Sequence, residues 1–299
     1  MLAVKNLFKA FDSIRAVDGV SFSAQRGKIT IIAGADGAGK STIFKIILGL
    51  IKKDRGEIFI DDSPINGNFS RVTDITGYMP ERFSLYTDLT VEENMDFFAD
   101  IQRVETGRKK ELKNRLLERT GMLPFRKRRA GALSGGMKQK LALSTILLSS
   151  PEVLILDEPT TGVDPLSRIE FFKIMDDLKK EGKTIVMATP YLDEAEKGDF
   201  IVFIRKGKNI KQGGIREIKD NFPEKMFRIL PAGNIFETLK ELNSKKEVRA
   251  HFYIRGRYIK CLFSGDSGFL AGIKAKETRE EKPSLEDIYL YYERGVRDD

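Results

Sequence analysis

Hydrophobic and polar positions along this chain change their period several times. The first third carries strand-like runs: Leu2-Ala3-Val4, residues 17–22, then 28–32 leading into Ala33-Gly34. The last run is short, β-branched and continuously apolar, as expected of a strand buried on both faces of a sheet. Past a glycine-rich stretch, residues 41–50 place Ile43, Phe44, Ile46, Ile47 and Leu50 at helical spacing. Residues 56–60 read as a further strand, turned by Asp61-Asp62-Ser63-Pro64. From Thr90 to about 148 helical spacing takes over. Thr90 with Glu93 forms a capping box ahead of Met95, Phe97 and Phe98, and 109–119 is a charged helix. Residues 151–156 then predict a strand, 165–180 a helix and 183–188 a strand. Asp164 as N-cap, Pro165 in the first turn and Gly182 beyond the last bracket that helix. Strands alternating with helices predict an α/β fold on a parallel sheet, with a helical insert at about 90–150.

The pattern shifts again after Gly213-Gly214. A strand at 227–230, a helix at 235–242, a hairpin around Arg255-Gly256-Arg257 and a last helix from Ser284, with Asp287 in the capping position, predict a small α+β domain. The expected division is therefore 1–220 and 221–299.

Composition narrows the classes. With 41% hydrophobic residues in 299, the chain can bury a core and is not disordered. The net charge of +8 suits a nucleotide, a nucleic acid, an anionic membrane surface or a plain basic protein alike. One cysteine, Cys261, excludes a disulfide framework, and as a hairpin-strand residue it reads as a small buried side chain. One histidine, His251, excludes multi-histidine metal sites. The longest apolar stretch, 42–51, is interrupted by Lys45 and is too short to span a bilayer. A soluble, cytosolic chain is expected, reaching a membrane only through a partner.

Three motifs carry chemistry. Gly34-Ala35-Asp36-Gly37-Ala38-Gly39-Lys40-Ser41 fits the phosphate-binding loop, between a predicted strand and a helix as that motif requires. Backbone N–H groups from Gly34 to Thr42 would close around phosphates at the positive end of the helix. Lys40 would reach the terminal phosphates, and the Ser41 hydroxyl would ligate Mg²⁺. Next, the strand Val153-Leu154-Ile155-Leu156 delivers Asp157-Glu158 at its C-terminal edge, where open α/β sheets bind ligands. Asp157 is placed to hold Mg²⁺, directly or through water, and Glu158 to polarise an attacking water. Finally, Leu133-Ser134-Gly135-Gly136-Met137-Lys138-Gln139 opens a helix whose cap, Ser134, and two glycines, Gly135 and Gly136, make a second anion site.

In this order the motifs resemble the nucleotide-binding subunit of ATP-binding cassette (ABC) transporters, over about residues 1–220. The resemblance implies a RecA-like P-loop core that binds ATP and Mg²⁺. It also implies a head-to-tail dimer, homomeric or heteromeric, in which the segment at 133–139 faces the partner's ATP. Gly162-Val163-Asp164-Pro165 resembles the family's D-loop, bringing Asp164 to the nucleotide. Phe11, with Phe8 as a rival, stands where the family stacks an aromatic ring on adenine. An integral membrane permease is the implied partner, and the inner face of the cell membrane the implied location. No nucleic acid is expected.

Two positions depart from the family pattern. Where most members carry a glutamine that contacts Mg²⁺ and water, this chain has Glu81, which can still accept a hydrogen bond or bind the metal. The segment around it, Gly77-Tyr78-Met79-Pro80 and Leu85-Tyr86-Thr87-Asp88-Leu89-Thr90, resembles the exporter-type (ABC-2) branch, as does Lys282-Pro283-Ser284-Leu285-Glu286-Asp287-Ile288-Tyr289. Where the family has a histidine on the γ-phosphate, this chain has Pro190, which has neither a side-chain donor nor a backbone N–H. Hydrolysis that is slowed, or that depends on a partner, is the implied consequence. Three alternatives stay open: a regulatory half-site that holds ATP without turnover, a non-transport ABC ATPase acting on ribosomes or DNA, and one half of a tandem protein. Arg126-Lys127-Arg128-Arg129 reads as a solvated loop, and Tyr289, Tyr291 and Tyr292 as packing of the last helix.

Overall fold

The structure is a computed structural model that describes residues 2–65, 67, 69–82, 85–244, 250–263, 270 and 272–295. The chain divides into two units, Met1–Gln212 and Gly213–Asp299. The first begins with strands β1 (Leu2–Phe11), β2 (Ile14–Ala24) and β3 (Ile29–Ala33). Helix α1 (Lys40–Ile47), β4 (Arg55–Ile60), β5 (Ser63–Pro64), α2 (Ser70–Ile75) and β6 (Thr76–Met79) come next. The insert carries α3 (Val91–Ile101), α4 (Thr106–Arg119) and α5 (Gly135–Ile146). The chain returns through β7 (Val153–Asp157), α6 (Pro165–Lys180), β8 (Thr184–Thr189), α7 (Leu192–Ala195), β9 (Phe200–Arg205) and β10 (Lys208–Gly214).

A six-stranded sheet in the order β10-β9-β3-β8-β7-β6 forms the centre of this unit. Its β9, β3, β8, β7 and β6 run parallel. Every residue of β3, β7 and β8 is buried, the condition that lets continuous apolar runs persist without alternation. The earlier strands do not join it. β1, β2, β4 and β5 form a separate antiparallel sheet in the order β2-β1-β4-β5, a correction to the single parallel sheet expected from alternation with helices. In β1 and β2 buried residues are interspersed with half-buried and exposed ones, so only one face of this sheet is covered, which antiparallel pairing tolerates.

Helix α1 belongs to the core that joins the two sheets. Its Ile43, Phe44, Ile46 and Ile47 are all buried, in one cluster with Val4, Val20 and Ile58 of the antiparallel sheet and Ile32, Ile155 and Val186 of the parallel one. Full burial of each such side chain contributes about 1.5–3 kcal/mol. The helix ends at Ile47 rather than at Leu50 because Gly49 takes a left-handed backbone, φ 73°, and Leu50 turns out to solvent.

The second unit begins at Gly213 and not at the expected 221. Helix α8 (Ile215–Asp220) buries Ile215 and Ile218, and Asp220 pairs with Lys282, so this segment belongs to the second unit. Beyond it lie β11 (Lys225–Pro231), α9 (Ile235–Ser244), the hairpin β12 (Ala250–Arg255) and β13 (Tyr258–Phe263), β14 (Ala275–Glu281) and α10 (Leu285–Gly295). The strands form an antiparallel sheet, β12-β13-β11-β14. Cys261 is fully buried in its core with Ile229, Phe252 and Ile259, and burial pushes the thiol up to about 12. Ser284 and Asp287 cap α10 reciprocally, Ser284 N–H and Oγ–H both donating to Asp287 at 2.7 Å. Tyr289 is buried, whereas Tyr291 and Tyr292 are half-buried and stack edge-on with Phe222 and each other.

Candidate nucleotide site

The C-terminal ends of β3, β7 and β8 deliver the loop at 34–39, the pair Asp157-Glu158 and the segment from Thr189 to Tyr191 to one edge of the sheet. Two glycines of the first loop answer to close neighbours. A Cβ on Gly39, whose φ is 104°, would lie 2.2 Å from the Ala16 carbonyl oxygen, and one on Gly34 would lie 2.2 Å from that of Ile204. Ala35, Asp36 and Gly37 between them are exposed, Ala38 is buried, and Thr42 is half-buried in the first turn of α1.

Lys40 is 3% exposed, an extreme for a lysine, and its ammonium turns into the loop. It donates to the carbonyl oxygens of Gly34 at 2.9 Å and Ala35 at 3.0 Å, and pairs with Glu158 Oε1 at 3.1 Å. Ser41 Oγ donates to Asp157 Oδ1 at 3.1 Å. Glu158 itself holds a left-handed backbone, φ 50°, with its N–H bound to the Ala188 carbonyl oxygen at 3.0 Å. A non-glycine residue there costs about 1–2 kcal/mol, which the surrounding hydrogen bonds must offset. Burial, and then the neighbouring charges of Glu158 and Glu81, push the Asp157 carboxyl up to about 6, against lowering by Ser41 and Lys40.

This arrangement fits Mg²⁺. Ser41 and Asp157 offer two hard oxygen donors side by side, and the charges of Glu158 and Glu81 near the buried Asp157 carboxyl are ones that a cation relieves. Among the described residues no cluster of three or more His, Cys, Asp or Glu side chains could cage a metal alone. Mg²⁺ takes one or two carboxylates and completes its shell with phosphates and water. Glu81 is exposed, near enough to act on Asp157 electrostatically, and lines a groove with Leu85, Lys138 and Gln139.

The other expected residues lie apart from this cluster. Ser134 caps α5, its Oγ accepting from Met137 N–H at 3.3 Å, and is exposed together with Gly135. Gly136 is buried: a Cβ there would come 2.3 Å from both Cβ and Oγ of Ser167 on α6. Asp164 caps α6 by accepting from Ser167 N–H at 2.9 Å, and the Ser167 side chain, with that backbone N–H, holds its carboxyl below the usual range. Phe11 is 44% exposed at the β1–β2 turn, with Lys9 Nζ 5.2 Å from its ring centre, whereas Phe8 is half-buried beneath Arg55. Pro190 is half-exposed directly after β8. His251 lies in the second unit, on β12 against Tyr291, as a strand residue. The loop from Arg126 to Arg129 is exposed, and its carbonyl groups accept the N–H of Val91 and Glu92 at the start of α3.

Sequence reasoning missed two polar residues near these segments. Asn94, fully buried, clamps the loop before α3 through Tyr86 N–H and the carbonyls of Tyr86, Leu89 and Thr90. Its only signal was a polar residue on the buried face of an amphipathic helix. Glu194, also buried, gathers Thr160, Thr189 and Arg168.

Fold and loop together define a RecA-like P-loop nucleotide-binding cassette. A family model described as ABC transporter matches residues 17–161. The "Nod factor export ATP-binding protein I" of Burkholderia lata is 35% identical over 210 residues, 70% of this chain and 69% of that protein. The "Probable multidrug ABC transporter ATP-binding protein YbhF" of Escherichia coli is 41% identical over 281 residues, 92% of this chain, which spans only 48% of that protein's length. A dimeric cassette solved in a post-hydrolysis state bound to ADP and Pi superposes with a TM-score of 0.64 at 25% identity, over 72% of this chain and 98% of that one. The chain belongs to the ATP-binding proteins of the ABC transporter family. No helix among the described residues is long and apolar enough to cross a membrane.

Proposed function

We propose that this chain is the ATP-hydrolysing subunit of an ABC exporter, driving a separate membrane permease from the inner face of the membrane. The observation that carries the reading is the convergence of Lys40, Ser41, Asp157 and Glu158 within hydrogen-bond reach at one sheet edge. The likeness to export and multidrug ATP-binding proteins supports export. Residues 34–42 bind the phosphates, with Lys40 leaving the Gly34 and Ala35 carbonyls for the terminal phosphoryl oxygens. Ser41, Asp157 and Glu81 would hold Mg²⁺, which when bound would neutralise phosphate charge. Glu158, freed from Lys40, accepts a proton from the attacking water at a carboxylate oxygen. Phe11 offers an exposed ring for adenine. Two chains then sandwich ATP, each covering the other's nucleotide with Ser134, Gly135 and Gly136, and with Asp164 beside it. A bare Gly135 at the start of α5 suits such a contact.

Pro190 favours a second reading, an ATP-holding half-site that turns over slowly or only beside a catalytic partner. Sedimentation of the Glu158→Gln chain tests the assembly. ATP should convert it from monomer to dimer, and Ser134→Arg should abolish that conversion. A Glu158→Gln chain that stays monomeric at saturating ATP contradicts the homodimer and points to a distinct partner cassette.

A further inference from the structure

Among the described residues of the first unit three acidic side chains are buried: Asp157, Glu158 and Glu194. The first two face the phosphate loop. Glu194, 2% exposed, sits on the four-residue helix α7, where it accepts two hydroxyl hydrogen bonds and pairs with one guanidinium, from three other places in the chain. Thr160 Oγ–H, two residues beyond Glu158, donates to Oε1 at 2.6 Å. Thr189 Oγ–H, at the end of β8, donates to Oε2 at 2.7 Å. Arg168 Nε of α6 lies 3.1 Å from Oε1. Two of these three partners are tied onward in turn. Thr189 Oγ accepts the N–H of Tyr191 at 3.1 Å, so the hydroxyl spans Pro190. Arg168 donates to the Val163 carbonyl at 3.4 Å, and its guanidinium stands over the Tyr191 ring at 5.1 Å.

One carboxylate thus binds the segment after β7, the segment after β8 and the first turns of α6. A carboxylate suits this node because it accepts from every side and brings no proton of its own, whereas an amide would turn an NH₂ toward one of the donors. Burying it costs free energy that only well-made hydrogen bonds and the Arg168 charge offset. We propose that Glu194 is a positioning residue, holding residues 158–163 and 189–191 in fixed relation so that Glu158 and the Pro190 segment keep their places at the nucleotide. The proposal rests on the hydrolytic reading above. It gains weight from Pro190: a segment without a side-chain donor keeps its place through its two neighbours, Thr189 and Tyr191, both of which this network holds.

The test is Glu194→Gln in the full chain, with two readouts. The first is hydrogen–deuterium exchange without nucleotide. Amides in 158–163 and at 189 and 191 should exchange faster together, while 34–41 remain as in the parent chain. The second is Mg-ATP turnover, in which kcat should fall about tenfold or more with KM for ATP unchanged, the signature of displaced rather than missing binding groups. Exchange that is unaltered, or faster only within 192–196, overturns the proposal. So does a kcat equal to the parent's, or a loss of kcat and of ATP affinity together with a collapse of Tm, which would mark Glu194 as a fold residue only. A parent chain without turnover counts against the hydrolytic reading, and the exchange pattern then decides this one alone.

Discussion

Gly136 stands in a motif that invites a purely ligand-based explanation, and the structure supplies a different one. An alanine there would place its Cβ 2.3 Å from Ser167 Cβ, more than an ångström inside van der Waals contact, and Ser167 Cβ moves only with α6 itself. Overpacking of this kind costs about 1–3 kcal/mol. The usual gain from replacing glycine in a helix, about 1 kcal/mol, is only partly available in the first turn, where Gly136 sits. The expected net is about 1–2 kcal/mol, or a Tm lower by about 4 °C for a unit of this size. Gly135 provides the contrast: it is exposed, its nearest neighbour would be the Gly162 carbonyl at 3.3 Å, and Gly135→Ala should leave the Tm of the isolated chain within about 1 °C. Thermal unfolding of Gly136→Ala, Ser167→Gly and the double variant tests the cause. Removing the Ser167 side chain should recover the loss in the double variant relative to Ser167→Gly alone. A Gly136→Ala chain as stable as the parent, or a double variant with no recovery, would refute the packing argument.

The same geometry sets other expectations. Because the Asp157 carboxyl is raised from 3.8 to about 6, the folded chain binds a proton more tightly than the unfolded one, so stability falls as pH rises from about 4 to 6. Asp157→Asn should therefore raise the Tm of the nucleotide-free chain by several degrees at pH 7.5, a gain that vanishes below pH 4 on pH-resolved thermal scans. Cys261, fully buried with its thiol pushed up to about 12, should resist a thiol reagent until the second unit unfolds, as timed labelling would record. Pro190→His should raise Mg-ATP turnover by restoring a donor after β8; a rate equal to the parent's would show that the proline is not what limits hydrolysis.

Much of the parallel sheet was legible because its strands obey one rule. β3, β7 and β8 are buried on both faces, and their apolar runs show it. Capping was equally direct: Thr90 and Glu93 bind each other's backbone in the capping box read from their spacing, and Asp164 caps α6. What hydropathy could not register were elements held by backbone pairing or by distant partners. β14, with the sequence Ala-Lys-Glu-Thr-Arg-Glu-Glu, is an edge strand joined to β11 through its ladder, and its charges conceal it. The antiparallel sheet of β1, β2 and β4 shares its alternation with any half-buried strand, so nothing local separated it from the parallel one. At the site, Lys40, Ser41, Asp157 and Glu158 could be placed together because a phosphate loop and a strand-end carboxylate share an edge by topology. Glu194 could not, since Asp193, Glu194 and Glu196 are alike in sequence and only the fold turns the middle one inward.

The central claim is that the edge formed by Lys40, Ser41, Asp157 and Glu158 hydrolyses ATP, and steady-state Mg-ATP turnover of the purified chain beside Glu158→Gln tests it most directly. The account predicts measurable turnover in the parent that disappears in the variant while ATP binding persists. Turnover equal in the two chains, or absent from both, would contradict it, and in the second case the site would hold nucleotide for a catalytic partner.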